Sequence, residues 1–276
     1  MTGFRSRWTA VRGVRIHDLS RPGGPDVPIV LVHGLAVAHR YLMPTARALP
    51  ARHPVLVPDL PGFGRSDKPG RALDVEEHAQ HVAGWLDALR LGPVCLVGHS
   101  FGSEVVARVA VRRPAAVAAL VLAGPTTDPR ARSRRRLIGR WLATMVAERP
   151  GQVPTLLRDV ADTQPWRVLA TIGHSVRNPV EEDLRRLPVP PLVLGGAQDA
   201  VAPLRWRAEV AAMTGGTLVT LPYAAHNALT TSGRRSAAAI AAHLRRTCAG
   251  PNSDGPNSAG PVSDAGGPST ARGARR

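Results

Sequence analysis

Five residues constrain this chain more than any others. Gly98-His99-Ser100-Phe101-Gly102 stands between the apolar run Pro93-Val94-Cys95-Leu96-Val97 and the helix-patterned stretch Ser103 to Arg113. A Gly-x-Ser-x-Gly pentapeptide between a buried strand and a helix is a nucleophile elbow, a sharp turn that lifts its serine out at the end of a strand of an α/β sheet. The glycines fit that demand, since a strained turn of this kind tolerates no Cβ on either flank. The chemistry expected of it is covalent acyl chemistry, with Ser100 as nucleophile.

The rest of the chain alternates apolar runs with amphipathic ones. Trp8 to Val11 and Val14 to Asp18 flank Gly13 as an antiparallel hairpin, and a Pro/Gly-rich loop from Arg21 to Pro28 leads to the buried run Ile29-Val30-Leu31-Val32. A short helix over Tyr41 to Leu49 and a strand over Val55 to Val57 follow. Asp74 with Glu77 three residues on forms a capping box for a helix whose apolar face is Val82, Trp85, Leu86 and Leu89. Beyond the elbow, strands are expected over Val117 to Ala123, Leu192 to Leu194 and Thr217 to Leu221, with helices over Pro203 to Met213 and Arg234 to Leu244. This rhythm predicts an α/β fold: a mainly parallel sheet of about eight strands, with the antiparallel hairpin at its start and helices on both faces.

The rhythm breaks once. No strand pattern occurs between Gly124 and Pro188, whereas strand-to-helix connections usually take about two to six residues. Leu137, Ile138, Trp141, Leu142 and Met145 fall on one helical stripe there, and Leu156, Leu157 and Val160 on a second. The expected organisation is a core of residues 1–124 and 188–248, a helical cap of residues 125–187 inserted after the sixth strand, and a disordered tail of residues 249–276, too rich in Gly, Pro and Ser to fold. Burying the stripes against the body accounts for most of their pattern; the further expectation is that Trp141, Leu142, Met145 and Trp166 touch an apolar part of the substrate.

Composition bounds the function. With 276 residues, 43% of them hydrophobic, one large core fits. The formal charge of +16 raises nucleic-acid binding, yet the basic residues are almost all arginine and are scattered through every segment. The dense run Arg132 to Arg136 opens a helical pattern without interleaved aromatics and reads as a solvated helix end. Two cysteines imply no disulfide framework. The first eight residues have no apolar core of leader length and no stretch reaches membrane-span length, so a cytoplasmic protein with a small-molecule substrate is expected, binding neither nucleic acid nor membrane.

A serine hydroxyl needs an imidazole to take its proton, and the imidazole needs a carboxylate to fix its tautomer. His226 is the best base, because it follows the strand Thr217 to Leu221 and a short turn and so shares a sheet edge with Ser100. His78 and His81 share a helix face but lack a third ligand at metal spacing, so no metal is expected. His33 reads as a loop-ordering residue, and His174 stands in a decoy Gly173-His174-Ser175 without a preceding strand. For the acid, Asp199 follows the strand Leu192 to Leu194 through a tight Gly-rich turn; Asp128, one strand earlier, is the rival. The oxyanion of an acyl intermediate needs preorganised donors, for which the backbone N–H groups of Phe101, at the head of the elbow helix, and Leu35, after His33-Gly34, are the candidates.

Together these residues resemble the α/β-hydrolase superfamily, in its branch of lidded, single-domain bacterial serine hydrolases. The resemblance rests on His33-Gly34-Leu35, the turn Asp59 to Asp67, the elbow at Ser100, Gly195 to Asp199 with Val201 and Pro203, and His226, and covers about residues 8 to 246. It implies that the Asp59 to Asp67 turn is architectural. Ser103 and Ala225 stand where the family often has glycine, and both are small. The implied activity is hydrolysis through an acyl-enzyme without cofactor or metal. Acyl transfer or a lyase step on the same residues, and a non-catalytic binding protein on the same scaffold, are the alternatives.

Overall fold

Ile29 and Leu31 pack on one side of the sheet, Val30 and Val32 on the other. That division holds for every central strand, which is why these strands are apolar throughout rather than alternating. The computed structural model describes residues 3–148 and 150–248. In chain order the elements are β1 (Arg5–Val11), β2 (Val14–Arg21), β3 (Ile29–Val32), α1 (His39–Ala48), β4 (Val55–Pro58), α2 (Val75–Ala88), β5 (Val94–His99), α3 (Phe101–Arg112) and β6 (Val117–Ala123). Then come α4 (Arg134–Ala147), α5 (Val153–Ala161), α6 (Pro165–Arg177), α7 (Val180–Leu184), β7 (Leu192–Gly196), α8 (Leu204–Thr214), β8 (Thr217–Leu221), α9 (Ala228–Thr231) and α10 (Gly233–Cys248).

The strands form one eight-stranded sheet in the order β1-β2-β4-β3-β5-β6-β7-β8. β1 and β2 pair antiparallel, as do β2 and β4, and all other neighbours are parallel. The order places a topological switch between β3, whose next strand lies to one side, and β5, whose next strand lies to the other. In open α/β sheets such a switch leaves a crevice at the carboxyl ends of the strands. The helix α2 begins as its sequence dictates: Asp74 Oδ1 accepts from Glu77 N–H at 2.9 Å and Glu77 Oε2 accepts from Asp74 N–H at 3.0 Å. Cys95 is buried in β5, and Cys248 is exposed and unbridged. Among the described residues no helix is long and apolar enough to cross a membrane.

Several boundaries differ from the sequence expectation. β1 starts at Arg5 rather than Trp8, β2 runs on to Arg21, the elbow helix starts at Phe101 rather than Ser103, β7 runs on through Gly196, the expected last helix lies within the longer α10, and the short α9 before it was not expected. The expectation for residues 249–276 lies outside the described residues.

The helices α4 to α7, between β6 and β7, are tied to the body by polar anchors. Arg167 Nη1 donates to Arg71 O at 2.8 Å and its Nη2 to Pro69 O at 2.6 Å, and Arg108 Nε donates to Asp183 at 2.8 Å. The expectation that the apolar stripes are buried holds only in part: Leu137 and Ile138 on α4 are half-buried, whereas Trp141 and Leu142 are exposed. On α5 the residue turned inward is Asp159, while Leu157 is 65% exposed and Val160 lies open beside it. Asp159 seats the helix, Leu156 packs half-buried against the core beside it, and Leu157 and Val160 face away from the body.

Candidate active site

Ser100 has φ 55° and ψ −123°, a conformation that non-glycine residues rarely adopt. The surroundings hold it there. Ser100 N–H donates to Ala123 O at 2.9 Å, Ser103 N–H to Ser100 O at 2.8 Å, and Ser103 Oγ–H to Gly98 O at 2.8 Å. The serine at 103 thus ties the elbow to the end of β5, a bond that glycine could not make. The two glycines of the pentapeptide are fixed by close approach: a Cβ at Gly98 would lie 2.3 Å from Gly102 O, and one at Gly102 would lie 2.5 Å from Val32 O.

Ser100 follows β5, Asp199 follows β7 and His226 follows β8, so all three stand at the carboxyl edge of the parallel strands. Gln198 N–H donates to Ala224 O at 2.9 Å and joins the two outer loops. His226 Nε2 is 2.9 Å from Ser100 Oγ, and His226 Nδ1 is 3.0 Å from Asp199 Oδ2. Because the carboxylate only accepts, Nδ1 carries the proton and Nε2 is left to accept from the serine hydroxyl. Asp199 Oδ1 also accepts from Val201 and Ala202 N–H, each at 2.9 Å. Burial by itself would push the Asp199 carboxyl up, but the imidazole, the backbone donors and Arg207 outweigh it and hold it below the ordinary range. Burial works the other way on His226 and is outweighed by the Asp199 carboxylate, with Glu148 adding to it, so the imidazole is more basic than usual. Asp128 is engaged elsewhere, accepting from Arg130 N–H and from Arg140 at 2.8 Å.

Three further side chains at this site were not read from the sequence. His99 Nε2–H donates to His226 O at 2.9 Å, and its Nδ1 accepts from the Tyr41 hydroxyl. Burial lowers the His99 imidazole to about 3, so it stays neutral in that tautomer. Glu148, just beyond α4, accepts Asn227 N–H at 2.7 Å on Oε1 and Gln152 Nε2–H at 2.7 Å on Oε2. His99 had one available clue, its place inside the elbow. Tyr41 and Glu148 had none, since their partners lie far away in the chain.

The loop after β3 packs on the nucleophile. A Cβ at Gly34 would come 3.0 Å from Ser100 Cβ, so Leu35 follows a residue that packs on the nucleophile. His33 orders this loop: Nδ1–H donates to Gly34 O at 2.7 Å and Nε2 accepts from Leu60 N–H at 2.9 Å. Phe101 stands at the first position of α3, where the helix has no carbonyl of its own for the N–H.

The four inserted-helix residues expected at the substrate are less tightly placed. Trp141 and Leu142 lie exposed on α4, and Trp166 lies half exposed on α6 beneath the Arg167 guanidinium at 4.7 Å. The side chain of Met145 lies outside those described. One group of metal-ligand type occurs among the described residues: His17, His39 and Asp59, with their ligand atoms within 4.8 Å of one another. The Asp59 carboxylate is already engaged by both imidazoles, by His39 N–H at 2.7 Å and by Arg65 N–H at 3.0 Å. Burial would raise its pKa, but these donors hold it far below the usual range, and the cluster braces the Asp59 to Asp67 turn.

A parallel sheet with a strained serine turn at its switch point, backed by a hydrogen-bonded histidine and aspartate, is the architecture of the α/β hydrolases. The chain belongs to that family: the model of the alpha/beta hydrolase family matches residues 29–242. It is 37% identical over 115 residues to a haloalkane dehalogenase of Mycobacterium marinum, a match that covers 40% of this chain and 38% of that protein. It is 41% identical over 116 residues to a 2-hydroxy-6-oxo-2,4-heptadienoate hydrolase of Pseudomonas putida, covering 40% of each. These matches thus span about two fifths of the curated relatives' length. Among solved structures, a thermophilic esterase from Thermogutta terrifontis superposes with a TM-score of 0.74 at 25% identity, covering 88% of this chain and 99% of that one.

Proposed function

We propose that the protein is a serine hydrolase that cleaves an ester, thioester, lactone, amide or activated carbon–carbon bond of a small, partly apolar molecule through an acyl-enzyme. The observation that carries this reading is the 2.9 Å contact of Ser100 Oγ with His226 Nε2, whose other ring nitrogen is fixed by Asp199. His226 takes the hydroxyl proton as Ser100 Oγ bonds to the carbonyl carbon, and Asp199 stabilises the imidazolium that results. The oxyanion is received by the N–H groups of Phe101 and Leu35, of which the first adds the positive end of α3. His226 then protonates the leaving group, the tetrahedral centre collapses to the acyl-enzyme, and water deprotonated by the same imidazole releases the acid. These steps use only protein groups and water.

The helices α4 to α7 act in this reading as a cap, with Trp141, Leu142 and Trp166 available to an apolar part of the substrate. Similarity to an esterase and to a 2-hydroxy-6-oxo-2,4-heptadienoate hydrolase supports hydrolysis as the reaction class. A fluorophosphonate probe tests the reading directly. The wild-type protein should be labelled stoichiometrically and turn over a chromogenic ester, and Ser100→Ala should abolish both; labelling that survives Ser100→Ala would refute it.

A further inference from the structure

His226 O and Asn227 N–H belong to one peptide unit, and two different parts of the molecule hold its two ends. The carbonyl accepts from His99 Nε2–H at 2.9 Å, and His99 is itself backed by the Tyr41 hydroxyl. The N–H donates to Glu148 Oε1 at 2.7 Å, and Glu148 is backed by Gln152 at 2.7 Å. His99 and Tyr41 belong to the sheet and α1; Glu148 and Gln152 belong to the segment between α4 and α5.

A peptide unit is planar, so holding its C=O from one side and its N–H from the other fixes its rotation about the line between the two Cα atoms. That rotation sets ψ of His226, and hence the direction in which Cβ and the imidazole leave the backbone. Asp199 holds the ring by Nδ1 but does not touch this peptide. Asn227 also precedes α9, so its N–H has no acceptor inside that helix. Glu148 supplies one from across the site.

Resting on the serine-hydrolase reading above, we propose that Glu148 is a positioning residue through which the cap sets the aim of the His226 imidazole. The core holds one end of the clamp and Glu148, in the insertion between β6 and β7, holds the other, so the seating of the insertion and the aim of the base are linked through one hydrogen bond.

The test compares Glu148→Ala, Glu148→Gln and Gln152→Ala in the full chain, by kcat and KM on a chromogenic ester and by the rate of Ser100 labelling with a fluorophosphonate. Misaiming a reacting group by a fraction of an ångström lowers the chemical step, so Glu148→Ala should reduce kcat and the labelling rate about tenfold with KM changed less than about twofold. Glu148→Gln keeps an acceptor oxygen for Asn227 N–H and should stay within about threefold of wild type. A kcat for Glu148→Ala within about twofold of wild type, or a loss confined to KM, overturns the proposal. So does a glutamine variant as impaired as the alanine one, which would make charge rather than the hydrogen bond the operative property. Should Glu148→Ala fail to fold, Gln152→Ala decides, a loss of kcat of about threefold or more supporting the assignment and no loss overturning it. A wild-type protein that is neither labelled nor active overturns both this and the hydrolase reading; an active wild type with an unaffected Glu148→Ala overturns only this one.

Discussion

Arg40 on α1 and Asp159 on α5 meet at 2.7 Å, the carboxylate fully buried and the guanidinium partly open to solvent. Asp159 also accepts Ala38 N–H at 3.0 Å, so a single side chain seats α5 on the loop and helix that follow β3. Arg40 has a second partner, Asp162 at 2.7 Å. Asp159→Ala therefore strands a buried backbone N–H more than it strands the arginine, and should cost about 2 kcal/mol. In a chain of this size that is about 5 °C in Tm by calorimetry. An unchanged Tm would show that α5 is seated by other contacts.

Asp199→Asn tests the orientation of the base. An amide in place of the carboxylate no longer secures the Nδ1–H tautomer, so Nε2 is not kept free for the serine proton. The fold should persist, with kcat reduced by on the order of 10³- to 10⁴-fold. The pH profile adds a second readout. Burial depresses His226, and Asp199 and Glu148 more than restore it, so the folded imidazole titrates above its ordinary 6.5. Since the neutral ring is the base, wild-type kcat/KM should fall on the acid side with a pKa above that value, and the limb should move down in Asp199→Asn. A wild-type limb below 6.5 would contradict the assignment.

Much of this site was legible in the sequence because its parts are local. The elbow announces itself in five consecutive residues, and Asp199 and His226 each follow a strand that pattern alone locates. The amphipathic reading failed where a polar anchor outweighed it. Leu157 and Val160 have helical spacing appropriate to a buried face, yet Asp159 takes the inward position because Ala38 N–H and Arg40 stand there to receive it. Periodicity reports which residues share a face, not which face is turned inward when a buried ion pair competes with a few methyl groups. Glu148 was illegible for a related reason, since its partner is a backbone N–H far away in the chain.

Glu104, on α3 close behind the elbow, is fully buried with no cationic partner among its hydrogen bonds. Its carboxyl receives Thr126 Oγ1–H and Asn178 Nδ2–H, each at 2.8 Å, and the Ser175 hydroxyl, so it joins the loop after β6 to α6 and the loop after that helix. Burial pushes its pKa above the ordinary 4.5, and these neutral donors pull it only part of the way back. The folded protein thus binds this proton more tightly than the unfolded chain does. Its contribution to stability is fully present below the unfolded value and is lost as pH rises through the folded one. Glu104→Gln cannot ionise and should not follow that loss. Measured by thermal unfolding, the Tm difference of variant minus wild type should become steadily more positive as pH rises above about 4.5. A difference that stays flat would mean that Glu104 ionises in the fold as readily as in the open chain, and that its hydrogen bonds alone offset the burial of its charge.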